Sequence, residues 1–295
     1  MKHPQDSVQE HSLQDPESFW SHHAESLHWH KQPSSALKHT TKHITLRGNK
    51  GTASHDHWSW FPDGMISTTY NCVDRHVENG NGENVAIVWE SAVTGESAKY
   101  TYRQLQDEVE ILAGVLREEG VRKGDVVIIY SMFSSSTVLS QVKLTDYDTV
   151  PMIPAALIAA LAIVRLGAIH AAVFGGFAPA PLAQRIDDAN PRAIMTASCG
   201  IEGSKGPIPY RPLVEGAIAQ SKFKPEKVII WQRDQLRWNH PDKVGGQRNW
   251  QRIVRSGQLR NIRATPVPIR SDEALYIIYT SGKFLAIQLL LEKTY

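Results

Sequence analysis

Two hydroxyl residues and a glycine follow a short apolar segment near the end of this 295-residue chain. Residues 274–279 (ALYIIY) are rich in aromatic and β-branched side chains, which is typical of a buried strand in a parallel sheet. Thr280, Ser281 and Gly282 come next. A loop of this composition, at the carboxyl end of a strand, can bring backbone N–H groups and hydroxyls against a phosphate. The sequence therefore predicts a phosphate contact at these three residues.

The segment after Gly282 does not continue this pattern. Residues 283–295 read KFLAIQLLLEKTY, which is a lysine and an aromatic residue followed by an apolar run. A loop that folds around phosphates needs further glycines and small hydroxyl residues at this point. The predicted phosphate site is therefore incomplete.

The histidines are concentrated in the first part of the chain, where ten of the thirteen precede Trp60. Residues 28–30 (HWH) and 55–57 (HDH) carry them in pairs, and imidazole is a common metal ligand. Neither pair has the i, i+4 spacing of a helical metal site, and no third and fourth ligand follows at a recognised interval. We therefore expect no metal site, and we interpret residues 1–80 as a mostly irregular segment of solvated histidines and packing tryptophans.

One short helix is predicted inside this segment. Asp15 can cap its N-terminus and Pro16 suits its first turn. Trp20 then lies on the helix and is predicted to anchor it onto a larger body. The sequence here indicates an arm that packs on a domain.

From Glu83 onward, predicted strands alternate with predicted helices. Apolar, β-branched runs indicate the strands, and apolar residues at helical spacing indicate the helices. The strands are residues 85–89, 126–130, 168–174, 192–196, 227–231 and 274–279; the helices are the one that Thr101 caps and Gly120 ends, then residues 154–166, 179–189 and 213–220. This alternation predicts an α/β fold, a doubly wound and mostly parallel sheet with helices on both faces.

Ligands of such sheets gather at the carboxyl ends of the strands. Three predicted strands end in segments of suitable composition: residues 175–177 (GGF), the loop of residues 199–205, and residues 280–282. Residues 131–150 interrupt the alternation, because a strand-to-helix loop in such folds usually has about 2–6 residues. This segment is serine-rich and without periodicity, and we interpret it as an insertion.

Composition favours a soluble globular protein, with 41% hydrophobic residues and a formal net charge of +2. Neither value gives a reason to expect a nucleic-acid or membrane partner. Residues 222–270 are basic and contain Trp231, Trp238 and Trp250, and we interpret them as a solvated basic face rather than a nucleic-acid surface. Cys72 and Cys199 lie far apart, which favours reduced thiols over a disulfide framework.

Two further segments bear on membranes and export. The N-terminus has no apolar region of the kind that a secretory signal requires. Residues 151–177 are the longest apolar stretch, but Arg165, Gly167 and His170 interrupt them, and the uninterrupted part falls short of the ~20 residues that span a bilayer. We interpret this stretch as a buried helix followed by a buried strand.

Seven short motifs, in order along the chain, resemble the AMP-forming acyl-CoA synthetases that make acetyl-CoA or propionyl-CoA. They are residues 70–76 (YNCVDRH), 100–102 (YTY), 123–125 (KGD), 167–170 (GAIH), 173–177 (VFGGF), 194–198 (IMTAS) and 279–282 (YTSG). The resemblance covers roughly residues 15–282 apart from the insertion. Residues 197–202 (ASCGIE) are more similar to the propionate or short-chain acyl branch.

The resemblance implies part of the N-terminal domain of the adenylate-forming ligase fold. Residues 1–82 would be an acetyl-CoA-synthetase-type arm, residues 83–282 a partial AMP-binding domain with the unmatched insertion, and residues 283–295 an unmatched tail. The implied reaction has two steps, in which a carboxylate first attacks the α-phosphate of ATP while Mg²⁺ shields the departing pyrophosphate. The CoA thiol then displaces AMP from the acyl-adenylate.

The resemblance also implies two binding sites. Residues 280–282 would begin the loop that holds the β- and γ-phosphates of ATP. The counterpart of a loop of Glu-Pro-Gly-Arg type, which contacts the adenosine phosphate of CoA, is Glu202, Gly203, Ser204 and Lys205. Lysine in place of arginine keeps the charge but loses the bidentate fork, so we expect weaker phosphate recognition. The alternative interpretation is a solvated turn.

The other functional parts of the family would lie beyond residue 295: the acyl pocket, the adenine and ribose contacts, a magnesium ligand, and a C-terminal domain with a catalytic lysine. We therefore expect the chain to contain no catalytic residue and to be an inactive truncation. The alternative is a non-catalytic fragment that binds CoA or a protein partner. The implied partners are a small carboxylate, ATP and CoA. The expected location is the cytoplasm, with the mitochondrion as the alternative, and the oligomeric state stays open.

Overall fold

The computed structural model describes residues 3–45, 52–91, 94–130, 153–175, 178–202, 206–243 and 245–279. The helices in these ranges are α1 (Pro4–Gln14), α2 (Pro16–Ala24), α3 (Tyr102–Glu118), α4 (Pro154–Arg165), α5 (Pro179–Ala189), α6 (Arg211–Gln220) and α7 (Trp250–Leu259). Two π-helical turns span Tyr70–Asp74 and Val77–Asn81, and a 3₁₀ turn spans Pro241–Lys243.

The strands fall into one large sheet, one small sheet and three hairpins. Their bounds are β1 (Trp29–Lys31), β2 (Leu37–Thr45), β3 (Thr52–Trp60), β4 (Met65–Ile66), β5 (Val85–Glu90), β6 (Ser97–Thr101), β7 (Val126–Tyr130), β8 (Ile169–Val173), β9 (Ala193–Ala197), β10 (Cys199–Glu202), β11 (Gly206–Pro209), β12 (Lys227–Trp231), β13 (Gln247–Asn249), β14 (Ile269–Arg270) and β15 (Tyr276–Ile278).

The large sheet has six parallel strands in the order β13-β12-β9-β7-β8-β15. Alternate residues of the central strand β7 face opposite sides. Val127 and Ile129 pack with α3 and α4, and Ile128 and Tyr130 pack with α5 and α6. Helices therefore cover both faces, which confirms the predicted doubly wound sheet. The apolar stretch of residues 151–177 contains α4 and β8, so the predicted helix and strand are present.

The smaller elements lie around this sheet. Strands β1, β4 and β14 form an antiparallel three-stranded sheet, and β2–β3, β5–β6 and β10–β11 are antiparallel hairpins. Thr101 caps α3 as predicted: its hydroxyl accepts from the Gln104 N–H at 3.2 Å, and the Gln104 side chain accepts from the Thr101 N–H at 2.9 Å. Gly120 has a φ of 104°, so a left-handed residue follows the end of this helix.

The prediction of a mostly irregular segment over residues 1–80 is wrong, because it contains α1, α2 and β1–β4. Asp15 caps α2 as expected, with its carboxylate accepting from the Ser18 N–H at 3.1 Å. Trp20 is not the predicted anchor: it is 41% exposed and meets the Trp60 ring edge-on. The neighbouring Phe19 is the side chain that α2 buries.

The prediction that residues 274–279 form a buried strand is also wrong in part. Strand β15 is parallel to β8 as expected, but it lies at the edge of the sheet. Tyr276 and Ile278 are 53% and 59% exposed, whereas Ile277 packs against the core that α5 and α6 cover. An edge strand with helices on one side only leaves every second side chain in solvent.

Candidate ligand-binding edge of the sheet

The parallel strands place all of their carboxyl ends at one edge of the sheet. Strand β7 lies between β8 and β9, so the strand order reverses at β7. Sheets of this kind bind ligands at such a reversal, where the loops from neighbouring strands separate. Gly175 follows β8, Ser198 follows β9 and Tyr279 follows β15 at this edge. The predicted site segments therefore continue from strands that end side by side.

Tyr210 lies between two of these segments and is 2% exposed. A Cβ atom on Gly175 would come within 2.7 Å of the Tyr210 hydroxyl oxygen, and a Cβ atom on Gly200 within 2.6 Å. A side chain at either glycine would therefore collide with this ring. The two glycines let the segment after β8 and the strand β10 approach the same phenol.

The Tyr210 hydroxyl is buried and has no hydrogen-bond partner among the atoms that the structure describes. Its ring lies 5.3 Å from that of Tyr130, the last residue of β7. Burial raises the pKa of Tyr210, and the nearby Tyr130 acts in the same direction. The phenol therefore stays protonated and keeps its capacity to donate a hydrogen bond.

Ser198 joins the ends of β9 and β12. Its hydroxyl donates to the Leu236 carbonyl at 2.7 Å and accepts from the Arg233 N–H at 2.8 Å. Its own N–H donates to the Trp231 carbonyl at 2.8 Å. The hydroxyl is thus used twice to position the chain after β12, and Ser198 has a structural role at this edge.

Glu202, the first of the predicted CoA residues, lies in a strand rather than in a loop. The expected loop of residues 199–205 begins with strand β10, whose last residue, Glu202, pairs with Gly206 of β11. Gly206, the first residue of β11, has a φ of 73°, a left-handed conformation that glycine accommodates. Gly203, Ser204 and Lys205 lie outside the described residues, so their contact with CoA stays a prediction.

The predicted phosphate residues continue directly from β15. The hydroxyl of Tyr279 donates to the Asp188 carboxylate at 2.9 Å, and the Arg185 guanidinium carbon lies 5.0 Å from the centre of its ring. Both partners belong to α5, which therefore holds the end of β15. Burial, with Asp188 beside it, raises the pKa of Tyr279. Thr280, Ser281 and Gly282 lie outside the described residues, and their phosphate contact stays a prediction.

Ser198 and Tyr279, which precede the two predicted sites along the chain, follow strands that end at the same edge of the sheet. Strand β15 is separated from β9 by β8 and β7, which makes three spacings between neighbouring strands. At about 4.8 Å for each spacing, the strand ends that lead to residues 280–282 and to Glu202 are roughly 14 Å apart. The described strands that precede the two predicted segments therefore end on one side of the sheet.

A cavity of about 690 Å³ lies further along this edge, at the end of β12. The β5–β6 hairpin supplies one side of it, with Trp89 and Tyr100, and the chain after β12 supplies the other, with Arg233 and Trp238. The sequence interpretation missed this cavity. The residues that could have indicated the cavity are the tryptophan, arginine and glutamine side chains that follow the strand of residues 227–231. We had interpreted them as part of a solvated basic face.

That assignment needs a correction, because part of the basic segment is buried. Trp238 is 3% and Trp250 is 5% exposed, and Trp231 meets the Trp250 ring edge-on at 5.3 Å. Trp238 and Trp250 are therefore core residues and cannot stack on nucleic-acid bases. Arg233 is buried as well, at 6% exposure.

Across the described ranges, no group of three or more His, Cys, Asp or Glu side chains gathers in a way that could hold a metal ion. The rings of His28 and His30 meet edge-on. Burial lowers the pKa of His30, and the nearby His28 has a smaller effect in the same direction.

The described helices include none that is long and apolar enough to cross a membrane. Cys72 is exposed and Cys199 is buried, and both are free thiols.

Comparison with known families assigns almost the whole chain. A model of the acetyl-coenzyme A synthetase N-terminus matches residues 5–72, and a model of the AMP-binding enzymes matches residues 73–142 and 149–282. The chain belongs to the AMP-binding enzyme family. The second match breaks within residues 131–150 and ends at Gly282. The predicted domain limits themselves stay a prediction.

Curated relatives resemble the chain over most of its length. An uncharacterized protein of Pseudomonas aeruginosa is 40% identical over 272 residues, which are 92% of this chain and 37% of that protein. The mitochondrial acyl-CoA synthetase short-chain family member 3 of Bos taurus is 39% identical, over 92% of this chain and 34% of its own length. Acetyl-coenzyme A synthetase of Leptospira biflexa is 33% identical, over 92% and 36%.

A solved structure shares the fold. Acetoacetyl-CoA synthetase from Streptomyces lividans superposes with a TM-score of 0.70 at 18% identity, over 95% of this chain and 37% of that one. The chain therefore spans about a third of the length of the relatives that it matches. The comparison confirms the resemblance that the seven motifs indicate.

Proposed function

We propose that this chain is part of an AMP-forming acyl-CoA synthetase that joins a short-chain carboxylate, acetate or propionate, to CoA. The names of the bovine and Leptospira relatives support the reaction class. The observation that carries the proposal is the convergence of β8, β9 and β15 at one edge of the parallel sheet. The described residues that precede both proposed phosphate-binding segments lie at this edge.

In this proposal, the carboxylate attacks the α-phosphate of ATP, which releases pyrophosphate and forms an acyl-adenylate. The CoA thiol then attacks the acyl carbon, which releases AMP. Thr280, Ser281 and Gly282 would donate hydrogen bonds to the departing phosphates from the end of β15. Lys205, with Glu202, Gly203 and Ser204, would contact the adenosine phosphate of CoA from the β10–β11 hairpin. Such transfers depend on positioning and on charge neutralisation.

Among the described residues, no cluster of three or more His, Cys, Asp or Glu side chains could hold a metal ion. We therefore assign no magnesium ligand to them and derive no step from the ion.

We propose further that the 295 residues alone do not catalyse the reaction. The reason lies in the residues after Gly282, where Lys283 and Phe284 lead into an apolar run. This run lacks the glycines that would let a loop close around the phosphates. Catalytic residues are not assigned within the chain.

We also propose a cytoplasmic or mitochondrial location for the protein. The name of the bovine relative contains "mitochondrial".

Carboxylate-dependent exchange between ATP and pyrophosphate tests both parts of the proposal. The 295-residue chain is compared with a chimera in which residues 1–282 continue into the remaining sequence of the bovine relative. We expect no exchange from the first protein and acetate- or propionate-dependent exchange from the second. Exchange by the 295-residue chain would contradict the proposal that it does not catalyse the reaction. A folded chimera without exchange would contradict the function.

The second candidate, a non-catalytic fragment that binds CoA or a protein partner, is favoured by the hairpin β10–β11, which is formed in this chain. Calorimetric titration with CoA and with 3′-dephospho-CoA separates this binding from catalysis. We expect CoA to bind more tightly, and Lys205→Ala to remove the difference while Ser204→Ala keeps most of it. Equal binding of both ligands to the wild-type chain would show that Lys205 does not contact the phosphate.

A further inference from the structure

The cavity at the end of β12 is lined by a buried arginine, Arg233, whose guanidinium has no hydrogen bond or ion pair within the described ranges. Its volume of about 690 Å³ falls within the ~300–1,000 Å³ of small-molecule pockets. Strand β12 lies beside β9 on the side away from β7. The cavity is therefore distinct from the strand ends of β8 and β15, where ATP is proposed to bind.

Arg233 lines this cavity and is 6% exposed. Its backbone N–H is fixed by the Ser198 hydroxyl at 2.8 Å, so the residue is held in place. Within the described ranges, its guanidinium makes neither a hydrogen bond nor an ion pair. Burial lowers the pKa of Arg233, yet arginine keeps its proton at neutral pH. A buried cation without a counter-charge is unfavourable, and an anion in the cavity would remove this cost.

Aromatic side chains surround the rest of the cavity. Trp89 and Tyr100 come from the β5–β6 hairpin, and Trp231 and Trp238 come from the end of β12 and the chain after it. The Trp238 indole N–H is buried and lacks an acceptor in the part of the chain that the structure describes. The cavity therefore combines the Arg233 guanidinium with accessible aromatic side chains that a flat ligand could contact.

The charges at the cavity favour a singly charged ligand. Three arginines and two carboxylates line it: Arg233, Arg237, Arg252, Glu96 and Asp234. Arg237 pairs with Asp234 at 2.6 Å, and Arg252 pairs with Asp242. Arg233 is thus the unpaired cation, and Glu96 acts on it only at a distance. A dianion would bring more negative charge than this lining balances.

We propose that the cavity binds a monocarboxylate carried on an aromatic ring. The planar guanidinium of Arg233 matches a carboxylate in a bidentate pair, and the ring lies among Trp89, Tyr100 and Trp231. This site is independent of the ligation reaction, since it uses none of the residues assigned to ATP or CoA. Its failure and the failure of the proposed function are therefore distinguishable.

The test uses isothermal titration of the full 295-residue chain with benzoate, with the neutral isostere benzamide, and with inorganic phosphate. We expect benzoate to bind roughly tenfold more tightly than benzamide, because the carboxylate forms charge-assisted hydrogen bonds. Arg233→Gln should abolish this preference. The matched control is Arg237→Gln, which removes an arginine that also lines the cavity but is exposed and paired with Asp234; its benzoate affinity should stay within about twofold of wild type.

A second measurement on the wild-type chain covers the case in which Arg233→Gln does not fold. Phenylglyoxal modifies arginines, and mass spectrometry then follows the adduct at Arg233 with and without ligand. Benzoate should protect Arg233 at least about fivefold, and benzamide should not. The proposal is overturned by the absence of benzoate binding, by equal affinity for benzamide, by tighter binding of phosphate, by unchanged binding in Arg233→Gln, or by the absence of protection.

Discussion

Arg165 and Asp74 form two parallel hydrogen bonds, from Nη1 to Oδ2 and from Nη2 to Oδ1, each 2.8 Å long. Arg165 is the last residue of α4 and is 1% exposed, and Asp74 is the last residue of the first π-helical turn. The same guanidinium donates to Glu110 of α3 at 2.8 Å and to the Ala264 carbonyl at 2.6 Å. One buried cation thus joins four segments that lie far apart in the sequence.

Removing the charge of Asp74 should destabilise the fold. Asp74→Asn leaves Arg165 buried with only Glu110 as a charged partner, and such a change costs about 3 kcal/mol in the free energy of unfolding. Urea denaturation measures it. The control is Glu83→Gln in the exposed pair Arg103–Glu83, whose side chains are 57% and 79% exposed, and we expect less than about 1 kcal/mol there. Equal losses in the two variants would show that burial does not set the strength of these pairs.

The stability of the chain should fall as the pH falls from 7 to 5, because of His170. Burial lowers the pKa of this histidine to about 4, and its Nδ1 atom has no partner among the described atoms. Its pKa in the unfolded chain is about 6.5, so the unfolded state takes up the proton first. This contribution to stability is complete above about pH 6.5 and is lost as the pH falls toward 4; at pH 5 the loss is about 2 kcal/mol.

Urea denaturation at pH 7 and pH 5 measures this dependence. His170→Gln should reduce the difference between the two pH values, since the titrating group is absent. His22→Gln is the matched control, because the His22 side chain is 77% exposed, and it should keep the wild-type dependence. A wild-type slope in His170→Gln would assign the dependence to other groups.

Two adjacent glycines before β13 should respond differently to substitution by alanine. Gly246 has a φ of 77°, and a Cβ atom there would lie 2.5 Å from the Glu226 carbonyl oxygen. Gly246→Ala therefore combines a left-handed backbone with a collision, and we expect a loss of about 2 kcal/mol or more in the free energy of unfolding. A Cβ atom on Gly245 meets no heavy atom within 4 Å, and Gly245→Ala should leave stability unchanged within about 1 kcal/mol. Thermal or urea unfolding of the pair checks this, and equal effects would contradict the left-handed assignment.

Tyr210→Phe should stabilise the chain by about 1 kcal/mol, since it removes a buried hydroxyl that has no partner in the described structure. Tyr70→Phe is the comparison: the Tyr70 hydroxyl donates to Glu78 at 2.5 Å, so its removal brings no such gain. Chemical denaturation reports both values. A loss of stability in Tyr210→Phe would show that the hydroxyl is satisfied in solution.

The sequence predicted the elements whose side chains are apolar and whose ends carry clear signals. Helix α5 starts at Pro179 and spans the predicted residues, and β7 and β12 coincide with apolar runs. The hairpin β2–β3 was missed because its strands are polar (LKHTTKHIT and TASHDHWSW), and β3 is exposed over most of its length, so no alternation marks the pattern. Two strands that pair mainly in solvent carry no hydrophobic signature.

The candidate sites also contain some features that the sequence predicted and others that it did not. The ends of β9 and β15, which precede the predicted segments 199–205 and 280–282, followed from the alternation of strands and helices, whereas the strand β10 within residues 199–205 did not. The burial of Arg233 could not follow from it, because residues of the β5–β6 hairpin, more than a hundred positions earlier, enclose its cavity together with the chain after β12. A basic residue after a strand resembles any surface arginine until its distant neighbours are known. Contacts between remote segments leave no local periodicity.

The order of the strands in the sheet also determines when each strand can pair with its neighbour during synthesis on the ribosome. Strands β9, β12 and β13 are added to one side of β7 as they emerge, whereas the free edge of β8 receives β15 only after Tyr276 has been made. About 100 residues separate Val173 from Tyr276, which corresponds to roughly 5–20 s at about 5–20 residues per second. During this interval, the backbone of β8 is open on one side. A newly made chain is therefore most exposed to mispairing with another nascent chain at β8, before β15 closes that edge.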